Sequence, residues 1–243
     1  MNAAFDLTGR RILITGAADG IGAATARVCA SLGAEILLVD LRDAASVADQ
    51  IREAGGRASC RVADVGARAT IERLAADVGD VDGLVANAAV CPWDDDWDDL
   101  NWDANFDRVM AVNVLGPIHL ARVFLPAMIR RRWGRIVFVG SLAGRTGGLI
   151  AGPHYVASKG GIHAVVKWLA RRAAPHGVLV NGVAPASVET PMMTDRPVDL
   201  ARIPLARKAQ PEEVAWPIAF LCSGAASYIC GAVLDVNGGV HMG

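Results

Sequence analysis

The stretch RILITGAADGIG, residues 11–22, joins an apolar run to a glycine-rich turn and to the start of a helical pattern. Residues 11–15 have the apolar character of a strand that is buried on both faces, and residues 21–32 repeat apolar side chains at helical spacing. Glycines in the turn let the backbone approach a pyrophosphate closely, and the helix N-terminus supplies free N–H groups to bind it. This stretch predicts a strand–turn–helix unit that binds a dinucleotide.

The same alternation of apolar runs and helical stretches continues along the rest of the chain. Further apolar runs occupy residues 35–40, 58–64, 83–87, 135–141, 178–184 and 232–236. This order predicts the α/β class and a Rossmann-like doubly wound parallel sheet of about seven strands, with helices on both faces. Because the chain has no internal repeat and no linker, we predict a single domain over residues 1–243. Residues 185–211 contain five prolines and predict a loop or a loose helix.

Composition excludes several classes of function. Hydrophobic residues make up 53% of the chain and charged residues 20%, with a net charge of -1, so no strong field is available to bind nucleic acid or an anionic membrane. The five cysteines form no C-x-x-C pair, which favours a reducing cytoplasm over disulfides and predicts no metal site. The start of the chain does not resemble a signal peptide. No apolar stretch is expected to span a bilayer, since Arg122 interrupts the best one, residues 118–128.

Asp40 ends the second predicted strand, where a carboxylate can accept hydrogen bonds from the adenosine ribose hydroxyls. It would also repel a 2′-phosphate, so the sequence predicts NAD, with NADP less favoured. Arg42 is evidence against this preference, because a guanidinium two residues after Asp40 could bind a 2′-phosphate. The alternative explanation is that Asp40 only caps the helix that follows the strand.

Tyr155 and Lys159 lie four residues apart in a helical stretch, residues 154–174, and therefore share one helix face. An ammonium beside a phenol lowers the pKa of the phenol from its usual value near 10, which suits a general acid/base. Ser141 ends a strand and could donate to a substrate oxygen. Asn113 lies in the helical stretch 106–132, where its amide could hold a lysine or a water molecule. Each of these residues could instead serve packing or local hydrogen bonding alone.

Together these motifs resemble the short-chain dehydrogenase/reductase superfamily, over essentially the whole chain. The family pattern T-G-x-x-x-G-I-G is matched by Thr15–Gly22, and its Y-x-x-x-K pattern by Tyr155–Lys159. Two departures place alanine where the family has other small residues: Ala86-Asn87-Ala88-Ala89 replaces Asn-Asn-Ala-Gly, and Pro185-Ala186 replaces Pro-Gly. We therefore expect only small shifts of the pocket, because a methyl group is the smallest side chain that could intrude on it.

The resemblance implies a catalytic set of Asn113, Ser141, Tyr155 and Lys159. Tyr155 is the implied acid/base, Lys159 binds the nicotinamide ribose, and Asn113 holds a water molecule that relays the proton. Asp64 is expected to meet the adenine, and the segment from Pro185 to Thr190 the carboxamide. The full set of expected cofactor-binding residues is Gly16, Asp19, Gly20, Ile21, Gly22, Asp40, Leu41, Asp64, Val65, Asn87, Ala88, Tyr155, Lys159, Pro185, Val188 and Thr190.

The substrate region is expected to lie in a loop of about residues 186–210 that covers the cleft. A mostly apolar pocket is predicted, which favours a hydrophobic secondary alcohol or ketone. Its expected residues are Trp93, Ser141, Ala143, His154, Ala186, Met192 and Met193. Loop tryptophans and methionines that fill the core or a subunit contact are the competing explanation.

The predicted function is therefore an NAD-dependent oxidoreductase that interconverts a secondary alcohol and a ketone, with a small-molecule substrate and a cytoplasmic location. One alternative is an NADPH-dependent 3-oxoacyl-carrier-protein reductase, against which Asp40 argues. Another, of a different class, is a catalytically silent partner subunit that only binds the cofactor. Resemblance further implies a homo-oligomer, with a tetramer expected, through the helices that carry Asn113 and Tyr155 and through the C-terminal segment.

Overall fold

The computed structural model describes residues 3–93, 97–98, 100–148 and 150–243. Its core is one sheet of seven parallel strands in the order β3-β2-β1-β4-β5-β6-β7. The strands are β1 (Arg11–Thr15), β2 (Glu35–Asp40), β3 (Arg57–Val62), β4 (Gly83–Ala86), β5 (Gly134–Val139), β6 (Val178–Pro185) and β7 (Val233–Val236). The predicted doubly wound α/β fold is confirmed.

Helices cover both faces of this sheet. The α-helices are α1 (Gly20–Ser31), α2 (Ala45–Glu53), α3 (Arg68–Val78), α4 (Trp102–Met110), α5 (Gly116–Arg131), α6 (Ala143–Thr146), α7 (Pro153–Ala173) and α8 (Pro211–Cys222). Buried side chains of α1, α2 and α8 form one hydrophobic core, and those of α3, α5 and α7 form the other. In β1, Ile12 and Ile14 point into the first core and Leu13 into the second, because neighbouring residues of a strand face opposite sides.

The strand order reverses between β1 and β4, which lie side by side with Ile12 opposite Gly83. The chain runs outward through β2 and β3 on one side of this point and through β5 to β7 on the other. Such a switch point leaves a crevice at the carboxyl ends of the strands, where ligands bind in doubly wound sheets. The turns that follow β1, β4 and β5 therefore meet at one place.

The two edge strands depart from the predicted burial on both faces: the residues of β7 are half-buried, and those of β3 are half-buried or exposed. β3 ends at Val62 rather than residue 64, and the Val62 side chain is 65% exposed. The reason is its position: β3 is an edge strand that pairs with β2 alone, so the helices cover it incompletely. The other strands end within two residues of the predicted limits.

The predicted helix over residues 106–132 is interrupted and begins earlier. A π-helical turn, Ala111–Leu115, lies between α4 and α5. By length and composition the run Trp102–Arg131 could cross a membrane, contrary to the expectation that Arg122 rules this out, and half of its most apolar window is buried in the fold. Leu120, Phe124 and Met128 of this run pack into the second core.

The proline-rich segment forms loops with two short 3₁₀ helices, Pro191–Met193 and Leu200–Arg202. Its first part is anchored to its last part, because Glu189 N–H donates to the Ala209 carbonyl at 2.8 Å and Ala209 N–H donates to the Ser187 carbonyl at 3.0 Å. The prediction of a loop or loose helix is confirmed. The segment lies over the carboxyl ends of β5 and β6.

Candidate active site

The turn between β1 and α1 is packed too closely to admit side chains at two of its glycines. Gly16 has φ +64°, and a Cβ there would lie 2.8 Å from the Ala88 Cα. A Cβ on Gly22 would lie 2.0 Å from the Gly16 carbonyl oxygen. This packing leaves a bare backbone cradle at the N-terminus of α1, which fits a pyrophosphate. Gly22 itself is buried and does not line the cleft, so its part in cofactor binding is to shape the turn.

Asn87 and Thr15 join the two strands at the switch point. The Asn87 amide donates to the carbonyls of Thr15 and Gly16 at 2.9 and 3.0 Å. The Thr15 hydroxyl accepts from the backbone N–H groups of Asn87 and Ala88, both at 3.1 Å. These four bonds fix the floor of the cleft. Of the two alanines that depart from the family pattern here, Ala86 is buried in β4 and Ala89 lines the cleft.

The adenosine end of the cleft carries the predicted carboxylate. Asp40 is buried, and its two oxygens accept backbone N–H bonds from Arg42 and Ala18, at 3.0 and 2.9 Å. A carboxylate oxygen has two lone pairs, so each can accept one more bond from a ribose hydroxyl. The Asp64 carboxylate is exposed on the same cavity and accepts from Gly66 N–H at 2.8 Å.

Most of the other predicted cofactor residues also line this crevice. The adenosine part, a cavity of about 590 Å³, is lined by Gly16, Asp19, Gly20, Ile21, Asp40, Leu41, Asp64, Val65, Asn87, Ala88 and Thr190. Thr190 packs against the glycine turn from the opposite side. A Cβ added to Gly20 would lie only 3.1 Å from the Thr190 Cγ2. Pro185 and Val188 line the adjoining cavity, where Tyr155 and Lys159 are found. The structure thus brings these residues together along one crevice.

Ser141, Tyr155 and Lys159 line one wall of that adjoining cavity, whose volume is about 270 Å³. Ser141 follows β5, and its hydroxyl oxygen accepts from Ala143 N–H at 3.1 Å. Tyr155 and Lys159 come from the first two turns of α7. The Lys159 ammonium donates to the Val139 carbonyl at 2.8 Å and lies 5.5 Å from the centroid of the Tyr155 ring. These three members of the predicted catalytic set are therefore assembled beside the dinucleotide cradle.

The pKa of Tyr155 differs from the prediction. Burial raises it above the usual value near 10, and a hydrogen bond with Ser141 opposes this rise. Burial lowers the pKa of Lys159 to about 8. The predicted decrease of the phenol pKa below 10 is thus not what the structure gives, because the removal of the phenol from water dominates.

Asn113 has a different set of contacts from the one expected. Its Oδ1 accepts from Val90 N–H at 2.8 Å, and its Nδ2 donates to the Val90 carbonyl at 2.9 Å and to Ser158 Oγ at 3.1 Å. The side chain is buried, so both ends of the amide are engaged with the loop after β4 and with α7. Its contacts make it a clamp between these two elements. The π-helical turn is what directs it inward, and such turns often occur at functional sites.

His154 was expected in the substrate pocket, and this expectation is wrong. The ring is fully buried, lies 4.6 Å from the Trp102 ring and places Nε2 3.2 Å from the Trp102 carbonyl oxygen. Neighbouring residues of a helix point about 100° apart, so Tyr155 faces the cleft while His154 faces α4. It is absent from the residues that line the cavity.

The remaining predicted pocket residues do line the cavity: Trp93, Ser141, Ala143, Ala186, Met192 and Met193. Sequence reasoning missed several others, which lie in the α6 region, the loop over the cleft and the C-terminal segment: Leu142, Thr146, Ile150, Ala151, Val198, Ile203 and Val240. Arg202 and Asp199 are the charged lining residues besides Lys159 among those described. Within the described part of the chain, no cluster of three metal-ligating side chains occurs.

Comparison with known proteins agrees with this geometry. The family model described as enoyl-(acyl carrier protein) reductase matches residues 16–241. The cis-4-hydroxycyclohexanecarboxylate dehydrogenase of Sinomonas cyclohexanicum is 38% identical, over 95% of this chain and 96% of the relative. The 3-oxoacyl-(acyl-carrier-protein) reductase of Salmonella typhimurium is 33% identical, over 96% of this chain and 98% of the relative.

Solved structures give the same result. The putative NAD(P)-dependent gluconate 5-dehydrogenase of Beutenbergia cavernae, with bound NADP at low occupancy, superposes with a TM-score of 0.92 and is 35% identical, with 98% of each chain covered. The fold and the site thus define an NAD(P)-dependent oxidoreductase that acts on CH–OH groups. The chain belongs to the short-chain dehydrogenase/reductase superfamily.

We predict that Asn113→Ala lowers both stability and turnover. The substitution leaves the two Val90 backbone groups and Ser158 without their partner, which should reduce the free energy of unfolding by about 2 kcal/mol. It should also release the loop after β4, which lines the cleft, and so lower kcat. Chemical denaturation and steady-state kinetics measure the two effects.

The matched control is Asn181→Ala. Asn181 is a buried amide that makes a similar clamp, to the Ile229 carbonyl at 2.8 Å and to Ala232 N–H at 3.0 Å, away from the cleft. It should lose comparable stability and keep its turnover. Equal kcat values for the two variants would contradict the assignment of Asn113 as a clamp of the active site.

Proposed function

We propose that this protein is an NAD-dependent dehydrogenase/reductase that interconverts a secondary alcohol and its ketone, with Tyr155 as the acid/base. The observation that carries the proposal is the shared cavity wall of Ser141, Tyr155 and Lys159, which adjoins the backbone cradle at the start of α1. Proton transfer and dinucleotide binding need these two features side by side. A silent binding subunit would have no need for all three side chains in one wall.

Ser141, Tyr155 and Lys159 have different roles in the reaction at the substrate oxygen. A bound nicotinamide dinucleotide accepts or supplies the hydride at the carbinol or carbonyl carbon. In the oxidation, the Tyr155 phenolate takes the hydroxyl proton as the carbon–hydrogen bond breaks, so the substrate loses one proton and one hydride. Ser141 donates a hydrogen bond to the same oxygen and stabilises the charge that develops on it. In the reduction, Tyr155 returns the proton to that oxygen.

Lys159 controls the proton of Tyr155 in this proposal. Its ammonium is fixed by the Val139 carbonyl at 2.8 Å, and at 5.5 Å from the phenol ring a positive charge favours the phenolate. Burial alone would keep the phenol neutral, as the raised pKa of Tyr155 indicates. The lysine charge offsets that cost and also lies where it can bind a ribose hydroxyl.

The proposal of NAD over NADP rests on Asp40. A buried carboxylate at the adenosine end accepts ribose hydroxyls and repels a 2′-phosphate. The solved neighbours do not decide between the two cofactors, since one is described with bound NADP and another with bound NAD. An NADPH-dependent 3-oxoacyl reductase therefore stays the second candidate, supported by the 33% identity to such a relative.

For the substrate we propose a secondary alcohol with an apolar body and a carboxylate at its far end. Apolar side chains form most of the cavity wall, among them Trp93, Leu142 and Met192, and suit a ring or an aliphatic chain. Arg202, on the loop that covers the cleft, supplies a guanidinium to the cavity. Its ion-pair partner Asp199 lies 3.8 Å away and also accepts a hydrogen bond from Ala201 N–H. A relative that is described as acting on cis-4-hydroxycyclohexanecarboxylate has this chemistry.

We further propose a homo-oligomer, with a tetramer as the expected state, in a cytoplasmic location. Leu115 and Trp168 present 47% and 64% of their surface to solvent on the two helices expected at the interface, and apolar side chains of this size favour a partner. The five free cysteines support a reducing compartment. We propose no nucleic-acid or membrane partner, because the net charge is close to zero.

We predict that Tyr155→Phe lowers kcat at least about a thousandfold, because the substrate proton then has no acceptor on the protein. Binding of NADH should change less than threefold. The matched control is Tyr228→Phe, since the chain has two tyrosines and Tyr228 is fully exposed. Stopped-flow absorbance of NADH and calorimetric titration give the two readouts. Turnover within tenfold of the unaltered enzyme in Tyr155→Phe would remove the acid/base assignment.

We also predict that Arg202→Met raises KM for 4-hydroxycyclohexanecarboxylate at least tenfold and leaves KM for cyclohexanol within twofold. Loss of the guanidinium removes a charge-assisted hydrogen bond that only the acid can use. Arg52→Met serves as the control, because it removes an exposed arginine of α2 that does not line the cavity. Parallel increases for both alcohols, or no increase for the acid, would contradict a carboxylate contact at Arg202.

A further inference from the structure

A buried histidine lies directly behind the reaction centre. His163 follows Lys159 by one turn of α7 and therefore lies on the same face of that helix. Its ring packs against Gly140, the residue between the end of β5 and Ser141. A Cβ added to Gly140 would lie 2.7 Å from the His163 Cδ2 and closer still to its Nε2. The ring therefore occupies the space that a side chain at position 140 would need.

Gly140 is confined from the opposite side as well. Its N–H donates to the Val183 carbonyl at 2.8 Å, and an added Cβ would lie 3.1 Å from that carbonyl oxygen. The two chain neighbours of Gly140 both serve the reaction. The Val139 carbonyl accepts from the Lys159 ammonium at 2.8 Å, and Ser141 lines the substrate cavity. A shift of Gly140 would therefore move both of these groups.

The His163 ring is held at a cost. Its side chain is 8% exposed, and its Nε2 has no hydrogen-bond partner among the residues that the structure describes. A buried polar atom without a partner destabilises the fold, so an apolar side chain would fill the same space at a lower cost. A flat ring, however, approaches a bare backbone more closely than a branched aliphatic side chain does. The close approach to Gly140 is what this ring provides.

The charges around His163 keep its ring neutral. Lys159 and Lys167 act on it from α7, Arg145 from α6 and Asp235 from β7, and the Asp235 carboxylate is already paired with the Arg145 Nε at 2.6 Å. Burial first, and then the charges of Arg145 and Lys159, lower the pKa of His163 to about 4. At neutral pH the ring therefore adds no charge beside Lys159.

We propose that His163 is a positioning residue of the reaction centre, because its ring fixes Gly140 and with it the groups on either side. The inference rests on the proposed function, since those groups hold the catalytic lysine and orient the substrate oxygen. Helix α7 then contacts residues 139–141 at two points, through the Lys159 ammonium and through the His163 ring. Two contacts one turn apart fix this segment relative to the helix that carries the phenol.

Steady-state kinetics of the full chain with NAD and 4-hydroxycyclohexanecarboxylate test the proposal. Gly140→Ala should lower kcat at least about a hundredfold, because the methyl group and the ring cannot share one place and a shift of about 1 Å costs that much. KM and the dissociation constant of NADH should change less than threefold. Adding His163→Ala to Gly140→Ala should restore kcat at least about thirtyfold, since the methyl group then has room. His163→Ala alone should lower kcat about tenfold, because Gly140 loses its support on one side.

The matched control is Gly134→Ala, at the other end of β5. A Cβ there would lie 2.6 Å from the Met128 Sδ, so this glycine is crowded by a buried helix side chain in the same way, far from the cleft. It should lose stability in chemical denaturation and keep its kcat.

A second readout needs no substrate. The hydrogen bond with Ser141 lowers the pKa of Tyr155, so a displaced Ser141 should raise the pH at which the phenol ionises. In NAD-bound protein with ¹³C-labelled tyrosine, Gly140→Ala should raise that pH by at least about half a unit, and the double variant should reverse the rise. If the unaltered enzyme oxidises no alcohol, the proposed function fails, whereas His163 is still judged from this signal.

Two results would overturn the proposal. One is a Gly140→Ala variant with unchanged kcat and unchanged ionisation of Tyr155. The other is a double variant that is as impaired as Gly140→Ala alone, because the ring would then not be what the methyl group meets. Should Gly140→Ala not fold, His163→Ala decides the matter, and an unaltered kcat with an unaltered phenol ionisation in that variant would equally refute a positioning role.

Discussion

The burial of a phenol and an ammonium side by side is the constraint on which the rest of the site depends. Low polarity around Tyr155 and Lys159 raises the pKa of the first and lowers that of the second to about 8. Either charge alone is costly in such a place, whereas the two together offset much of that cost. The Val139 carbonyl fixes the ammonium, so the lysine can act on the phenol from a constant position.

The architecture around this pair serves to hold it against a dinucleotide. Because the strand order reverses between β1 and β4, the turns after both strands open at the same edge of the sheet. Asn87 and Thr15 bind the two turns to each other, and Asn113 binds the loop after β4 to the helix that carries Tyr155. A displacement of any one turn would therefore move the phenol relative to the cofactor cradle.

Much of this could be predicted from the sequence, because periodicity and glycine spacing are local signals. Residues 11–22 were enough to predict the first strand, the turn and the helix, and the Tyr155–Lys159 spacing predicted a shared helix face. Three features depend on tertiary contacts and could not be read from spacing. These are the exposure of β3 at the sheet edge, the direction of His154 toward Trp102, and the shift of the Tyr155 pKa by burial.

The ionisation of Tyr155 tests the central claim most directly. In Tyr228→Phe, Tyr155 is the one tyrosine left, so ¹³C labelling of tyrosine gives a single ring signal to follow against pH. With NAD bound, the phenol should ionise at least one pH unit lower when Lys159 is present than in the Lys159→Met variant. The same ionisation pH in both proteins would contradict the account, because the lysine would then not affect the ionisation of Tyr155.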